Sequence, residues 1–223
     1  MNKNIDYLKE RFKDCFDVKF RELSTILGNG TVVFIDDLCN SQWMMEYMIL
    51  PLRGFGELKG EEEGISTPKD LIDKVLDMNM TGIAKDVDDA IFHVLSGDVI
   101  LVLNDYEEII YSEVKNMVRR GIGIPDTESV LKGPREGFNE LIVDNVALIR
   151  RRLKNPDLKF EAVYVGEKSQ TAVAITYIKG IVDENVLEDI RKKVKSLDLR
   201  FVLDSNYIEC NLKKENSFFD TVG

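Results

Sequence analysis

The chain has one histidine, three cysteines and forty carboxylates in 223 residues, and its chemistry has to be sought among them. Hydrolytic and transfer reactions usually need a base poised near neutral pH, and histidine is the ordinary choice. His93 lies between Phe92 and Val94 in a segment with helical patterning, which points to a structural place in the fold and leaves a serine or cysteine triad hard to build. Cys15, Cys39 and Cys210 are odd in number and lack CxxC or CxxH spacing, so neither a disulfide framework nor a zinc site can be read from them. Asp86, Asp88 and Asp89 have no glycine or glutamate at the later positions of a calcium loop, and they suit the positive end of a helix instead. Gly121-Ile122-Gly123 runs into Pro125 and Asp126, which breaks the dinucleotide fingerprint. Gly28-Asn29-Gly30-Thr31 has no P-loop lysine and reads as a turn between strands. The residues predict no catalytic site, no metal site and no cofactor.

One segment resists a purely structural account. In Lys132-Gly133-Pro134-Arg135-Glu136-Gly137-Phe138-Asn139-Glu140, Gly133-Pro134 fixes a sharp entry to a helix predicted from Arg135 to Leu153. Arg135 and Glu136 then carry charge to the place where two halves of the chain meet. Phe138, Leu141, Ile142, Leu148 and Ile149 form the apolar face of that helix, with Asn145 in its middle. A buried asparagine must find partners, either as a specificity device at an interface or as the cap of a loop. Glu128, Gly133, Pro134, Arg135, Glu136, Phe138 and Asn145 are therefore the candidate coupling residues. The run Arg150-Arg151-Arg152 at the end of the same helix is attributed to the helix dipole, and Glu61-Glu62-Glu63 to a solvated loop.

The elements that must position these residues come from an internal repeat. A shift of 140 positions aligns Leu8–Leu38 with Leu148–Ile178 at eight identities, bringing Asp17-Val18-Lys19-Phe20 onto Asp157-Leu158-Lys159-Phe160 and Thr31-Val32-Val33-Phe34-Ile35 onto Thr171-Ala172-Val173-Ala174-Ile175. In the first copy, helices are predicted from Ser41 to about Leu52, from Thr67-Pro68 onward, and from Val87 to Leu95, where Gly97 ends the last one. The first of these carries Trp43, Met44, Tyr47 and Met48 on one face. Val99–Leu103 and Glu108–Tyr111 then form a hairpin that completes a four-stranded sheet. The second copy has strands near Leu158–Val165 and Thr171–Tyr177, then a helix over Glu184–Leu197. The fold class is α/β, with two related subdomains, each a small mixed β-sheet packed with helices. The expected division is residues 1–118, a connector at 119–134 and residues 135–223, the second subdomain falling short of a full copy at its C-terminal end.

Net charge −10 repels polyphosphate, so nucleic acid is not an expected partner. No apolar run approaches the ~18 residues that mark a membrane-spanning helix.

Ile124–Glu140 and Asn145–Leu153, with Leu95-Ser96-Gly97-Asp98, Val173–Gly180 and Leu203–Glu209, resemble the A subunits of the GerA family of spore germinant receptors. The resemblance implies a non-enzymatic N-terminal domain on the cytoplasmic, spore-core side of the inner membrane, with membrane segments following residue 223. It implies B and C subunits as partners in nutrient detection, ion release and germination, and it leaves self-association and direct contact with a nutrient small molecule open. The alternative from the residues themselves is a small-molecule module whose ligand sits in the cleft between the two subdomains.

Overall fold

A computed structural model describes residues 2–54, 64–76, 78, 80–115, 137–197, 199–202 and 208. They form two compact units, residues 1–158 and 159–223.

The first unit is built on a five-stranded sheet of order β1-β2-β4-β5-β3, antiparallel at every pairing. Its strands are β1 (Val18–Thr25), β2 (Gly28–Ile35), β3 (Thr81–Ile83), β4 (Val99–Leu103) and β5 (Ile109–Ser112). The mixed four-stranded sheet expected from the sequence is thus all antiparallel, and it gains the edge strand β3. A strand of three residues has too little alternation to be visible as a pattern.

β4 is buried at all five positions because helices cover both faces of the sheet. On one face, α1 (Lys3–Arg11) and α5 (Val87–Leu95) bring Leu8, Ala90 and Val94 against Val33, Ile100 and Val102. On the other, α2 (Ser41–Met44), a π-helical turn (Met45–Ile49), α3 (Leu50–Leu52) and α4 (Pro68–Lys74) bring Met48, Leu52 and Leu71 against Val32, Leu101 and Leu103. Alternate residues of β4 therefore serve two cores. The helical stretch from Ser41 to Leu52 is present, but its stripe divides. Met44 and Met48 are buried, while Trp43 and Tyr47 are exposed on the neighbouring face. The wide π turn ends at Ile49, two residues before Pro51, which has no N–H to give the preceding turn.

Local signals are honoured closely. Thr67 and Asp70 make a reciprocal capping box ahead of Pro68, and Asp86 caps α5 through the Asp89 N–H at 2.8 Å. Gly97 ends α5 at φ +89°, and a Cβ there would meet the Leu38 carbonyl oxygen at 3.1 Å. Gly28–Thr31 is part of β2, and the turn is Ile26–Leu27 just before it.

The second unit holds most of β6 (Leu158–Val165), with β7 (Thr171–Ile178) and α7 (Glu184–Lys195). β6 and β7 pair as a two-stranded sheet, and Val165, Ile175, Leu187, Val194 and Val202 form the core. The division between the units differs from the expected one. α6 (Ile142–Arg152), assigned to the second half on sequence, belongs to the first unit, where Ala147 enters the core and Arg150 reaches Asp17. The expected connector, 119–134, lies outside the described residues.

The repeat is legible in the element order, helix–strand–strand–helix in each copy. The first strands begin 140 residues apart, at Val18 and Leu158, and the second strands 143 apart, at Gly28 and Thr171. The three-residue difference sits in the hairpin, Ile26–Leu27 in one copy and Gly166–Gln170 in the other. The gapless alignment consequently slips at the second strand, and Gly28, not Thr31, corresponds to Thr171. Beyond the slip the match is kept, for Asn40 and Asp183 cap α2 and α7 at the same spacing of 143.

Candidate functional site

The Asp of the repeated Asp-x-Lys-Phe motif stands just before the first strand of each copy, and each is held by an arginine from the helix of the other copy. Arg150, in the last turn of α6, donates from Nε to Asp17 Oδ2 at 2.8 Å and from Nη2 to Oδ1 at 3.2 Å. Its Nη1 donates to the carbonyls of Leu158 at 3.0 Å and Asn155 at 3.2 Å. Arg11, at the end of α1, holds Asp157 with both nitrogens of its fork, one of them at 3.2 Å. The two pairs differ in burial. Arg150 and Asp17 are 0% and 3% exposed at their side chains, and Arg11 and Asp157 are 30% and 35%. Burial pulls the Arg150 guanidinium down, but Asp17 outweighs it and leaves it above its ordinary value. Arg150 stands in the basic last turn of its helix, as the sequence suggested, and is in addition one half of a buried ion pair. The identical Asp17 and Asp157 of the repeat were the available signal, and their partners were not.

A second polar group closes the C-terminal end of α5. His93 Nδ1 lies 2.7 Å from Asp98 Oδ2, and its ring stacks on Tyr111 with centroids 3.6 Å apart. Asp89 Oδ2 is 3.9 Å from Nε2. Lys115 reaches Asp98 Oδ1 at 3.3 Å and Glu113 at 2.8 Å. Burial lowers the Lys115 ammonium, yet Glu113 and Asp98 more than offset it and hold it above its usual value. The helix end, the start of β4 and the strand end of β5 are tied together by these charges. His93 is committed to Asp98 on one nitrogen and to Tyr111 on a face, and among the described residues no serine or cysteine is hydrogen-bonded to it. No group of three or more metal-ligating side chains occurs among them either. Burial pushes the Cys39 thiol up to about 12, far from the thiolate range a nucleophile needs.

The candidate coupling segment is only partly described. Glu128, Gly133, Pro134, Arg135 and Glu136 lie outside the described residues. Within it, the helix begins at Ile142, seven residues later than the sequence suggested, and Phe138 precedes it as an exposed residue at 71%. The reason for the late start is local. Asn145 Oδ1 accepts the Asn139 N–H at 2.8 Å, Asn145 Nδ2 donates to the Asn139 carbonyl at 2.7 Å, and Asn139 Oδ1 accepts the Leu141 N–H at 2.8 Å. These bonds fold residues 139–141 back on the first turn of the helix. Half-buried Asn145 thereby bonds the backbone of the loop ahead of its helix. Leu141 is 51% exposed beside Phe138, so the segment presents apolar surface held in place by amide bonds.

With this geometry in place, comparison with known proteins is specific. The family model described as Bacillus/Clostridium GerA spore germination protein matches residues 6–223. The membrane protein YfkQ of Bacillus subtilis (strain 168) is 28% identical over 214 residues, 94% of this chain and 40% of that protein. Spore germination protein KA of the same organism is 28% identical over 221 residues, 96% of this chain and 39% of that protein. The chain thus spans about 40% of the length of these relatives. Among solved structures, the N-terminal domain of the A subunit of the Bacillus megaterium spore germinant receptor GerK3 has the same fold. Its TM-score is 0.70 at 23% identity, with 93% of this chain and 75% of that chain covered.

Proposed function

Because the chain belongs to the GerA family of spore germination proteins, we propose that it serves as the N-terminal domain of the A subunit of a nutrient germinant receptor and couples nutrient detection and subunit assembly to ion release. The observation that carries this reading is the family match, which runs over residues 6–223 and includes the segment 128–152 that no catalytic account absorbs. The site chemistry agrees with a coupling part. Arg150 with Asp17 and His93 with Asp98 hold elements of the first unit together, and the exposed apolar residues Phe138 and Leu141 stand just before α6. B and C subunits are the partners proposed for that surface. None of the described helices is long and apolar enough to cross a membrane. Anchorage at the spore inner membrane, with this domain on the core side, is proposed for other parts of the receptor.

The test is genetic. Spores of the parent organism from which the gene is deleted should lose refractility more slowly on at least one nutrient mixture, with the rate restored by the wild-type gene. Null spores that germinate at the wild-type rate on every nutrient that triggers the parent would overturn the proposal.

A further inference from the structure

Beside the end of the β1–β2 hairpin the first unit has a cavity of about 440 Å³, within the ~300–1,000 Å³ usual for small-molecule sites. Its wall includes Lys9, Arg21 and Arg53 against a single carboxylate, Glu22. Three cations to one anion make the cavity locally positive on a chain of net charge −10. The backbone explains how residues so far apart come to one place. Ile26 N–H donates to the Leu52 carbonyl at 3.1 Å, which brings Arg53 to the hairpin, and Asn104 N–H donates to the Asn29 carbonyl at 2.9 Å. Arg21 stands on β1, an edge strand, in register with Val32, and so shares a face with α3 and Arg53. Lys9 comes from α1 on the other face and lines the same cavity at the open edge.

None of these three side chains makes a hydrogen bond or ion pair among the described residues, in contrast to Arg11, Lys115, Arg150 and Arg191. Like charges gathered around one space repel, and an anion entering it relieves that repulsion. Ile5 and Leu23, 3% and 6% exposed, supply apolar wall, and the Asn29 and Asn104 side chains add amide groups.

We propose that this cavity binds a small organic carboxylate, with its carboxyl group on the guanidinium forks of Arg21 and Arg53 and its carbon skeleton against Leu23, which shares the face of Arg21 on β1. Guanidinium matches carboxylate geometry in two parallel bonds, and the apolar wall favours an organic anion over a bare inorganic one. The inference stands on unpaired charge and shape, and does not depend on the receptor reading.

The experiment is a titration of the 223-residue chain with sodium succinate at constant ionic strength, read by the arginine Nε–Hε resonances. Arg21→Gln and Arg53→Gln identify the two signals. Both should move saturably with one midpoint, neutral succinamide should leave them in place, and inorganic phosphate should act at least tenfold more weakly. The Arg21→Gln/Arg53→Gln variant, whose thermal midpoint checks that it folds, should lose the succinate response at least tenfold, read at the Asn29 and Asn104 side-chain amides. A shift that never saturates, an equal response to succinamide or phosphate, or an unchanged amide response in the double variant would overturn the site.

Discussion

Arg150 Nε and Asp17 Oδ2 are 2.8 Å apart across 133 residues of chain, and both side chains are withdrawn from water. This pair joins the last turn of α6 to the residue just before β1, while Arg11, at the end of α1, makes the reciprocal bond to Asp157. Each copy of the repeat is therefore closed by a side chain from the other.

Removing one partner of the inner pair should be severe. Asp17→Asn leaves Arg150 buried and uncompensated, at an expected cost of about 3–5 kcal/mol by urea denaturation. Asp17→Leu combined with Arg150→Met should regain much of that loss, since an apolar pair needs no compensation. Arg11→Ala, at the part-exposed pair, should cost less than about 1 kcal/mol. Equal losses at Asp17 and Arg11 would contradict the difference in burial.

Gly97→Ala should destabilise by about 1–2 kcal/mol, because it forces a left-handed backbone on an L-residue. The new Cβ also presses on the Leu38 carbonyl at 3.1 Å. Gly180→Ala is the control, with φ +84° and nothing within 4 Å of its Cβ. Thermal midpoints should fall further for Gly97→Ala than for Gly180→Ala.

Arg191 bonds Glu161 and, against the opposing effect of burial, holds its carboxyl below the usual range, with Tyr177 helping. A carboxyl whose folded value is depressed gives stability that is present above the unfolded value of about 4.3 and is lost as pH falls through the folded one. Glu161→Gln should accordingly be less stable than wild type at pH 7 and converge with it as the pH is lowered below about 4. Parallel stability curves from pH 7 to pH 3 would show that the pair does not couple to protonation.

Phe138→Ala should change stability by no more than about 0.5 kcal/mol, since the ring is 71% exposed. Asn145→Ala removes both bonds to Asn139 and should cost about 1–2 kcal/mol. Spores carrying Phe138→Ala should nonetheless germinate more slowly if the exposed ring contacts a partner subunit; a normal rate would remove Phe138 from the coupling surface.

What the sequence revealed were the features written in neighbouring residues. Thr67-Pro68 starts a helix, Gly97 ends one, and Asp17 and Asp157 recur at a spacing of 140. What it hid were features decided at long range. Arg150 looks like Arg151 and Arg152 until a partner 133 residues away selects it. Phe138 continues an apolar periodicity that Asn139 and Asn145 interrupt, the Asn145 side chain bonding both the N–H and the carbonyl of Asn139. Trp43 and Met44 are both apolar, and only the packing of the sheet decides which of the two turns inward. The cavity cations, Lys9, Arg21 and Arg53, share no pattern in the chain at all.

The crossed arginines also govern how this polypeptide can be divided. A fragment ending near residue 118 contains Asp17 but not Arg150, and the remainder contains Arg150 but not Asp17, so a cut at the sequence connector leaves one half of a buried ion pair in each piece. Separately expressed, each piece holds a charge whose counterpart is on the other. The pieces are thereby equipped to find one another, and mixing them is a route to complementation that a chain of two self-sufficient halves would not provide.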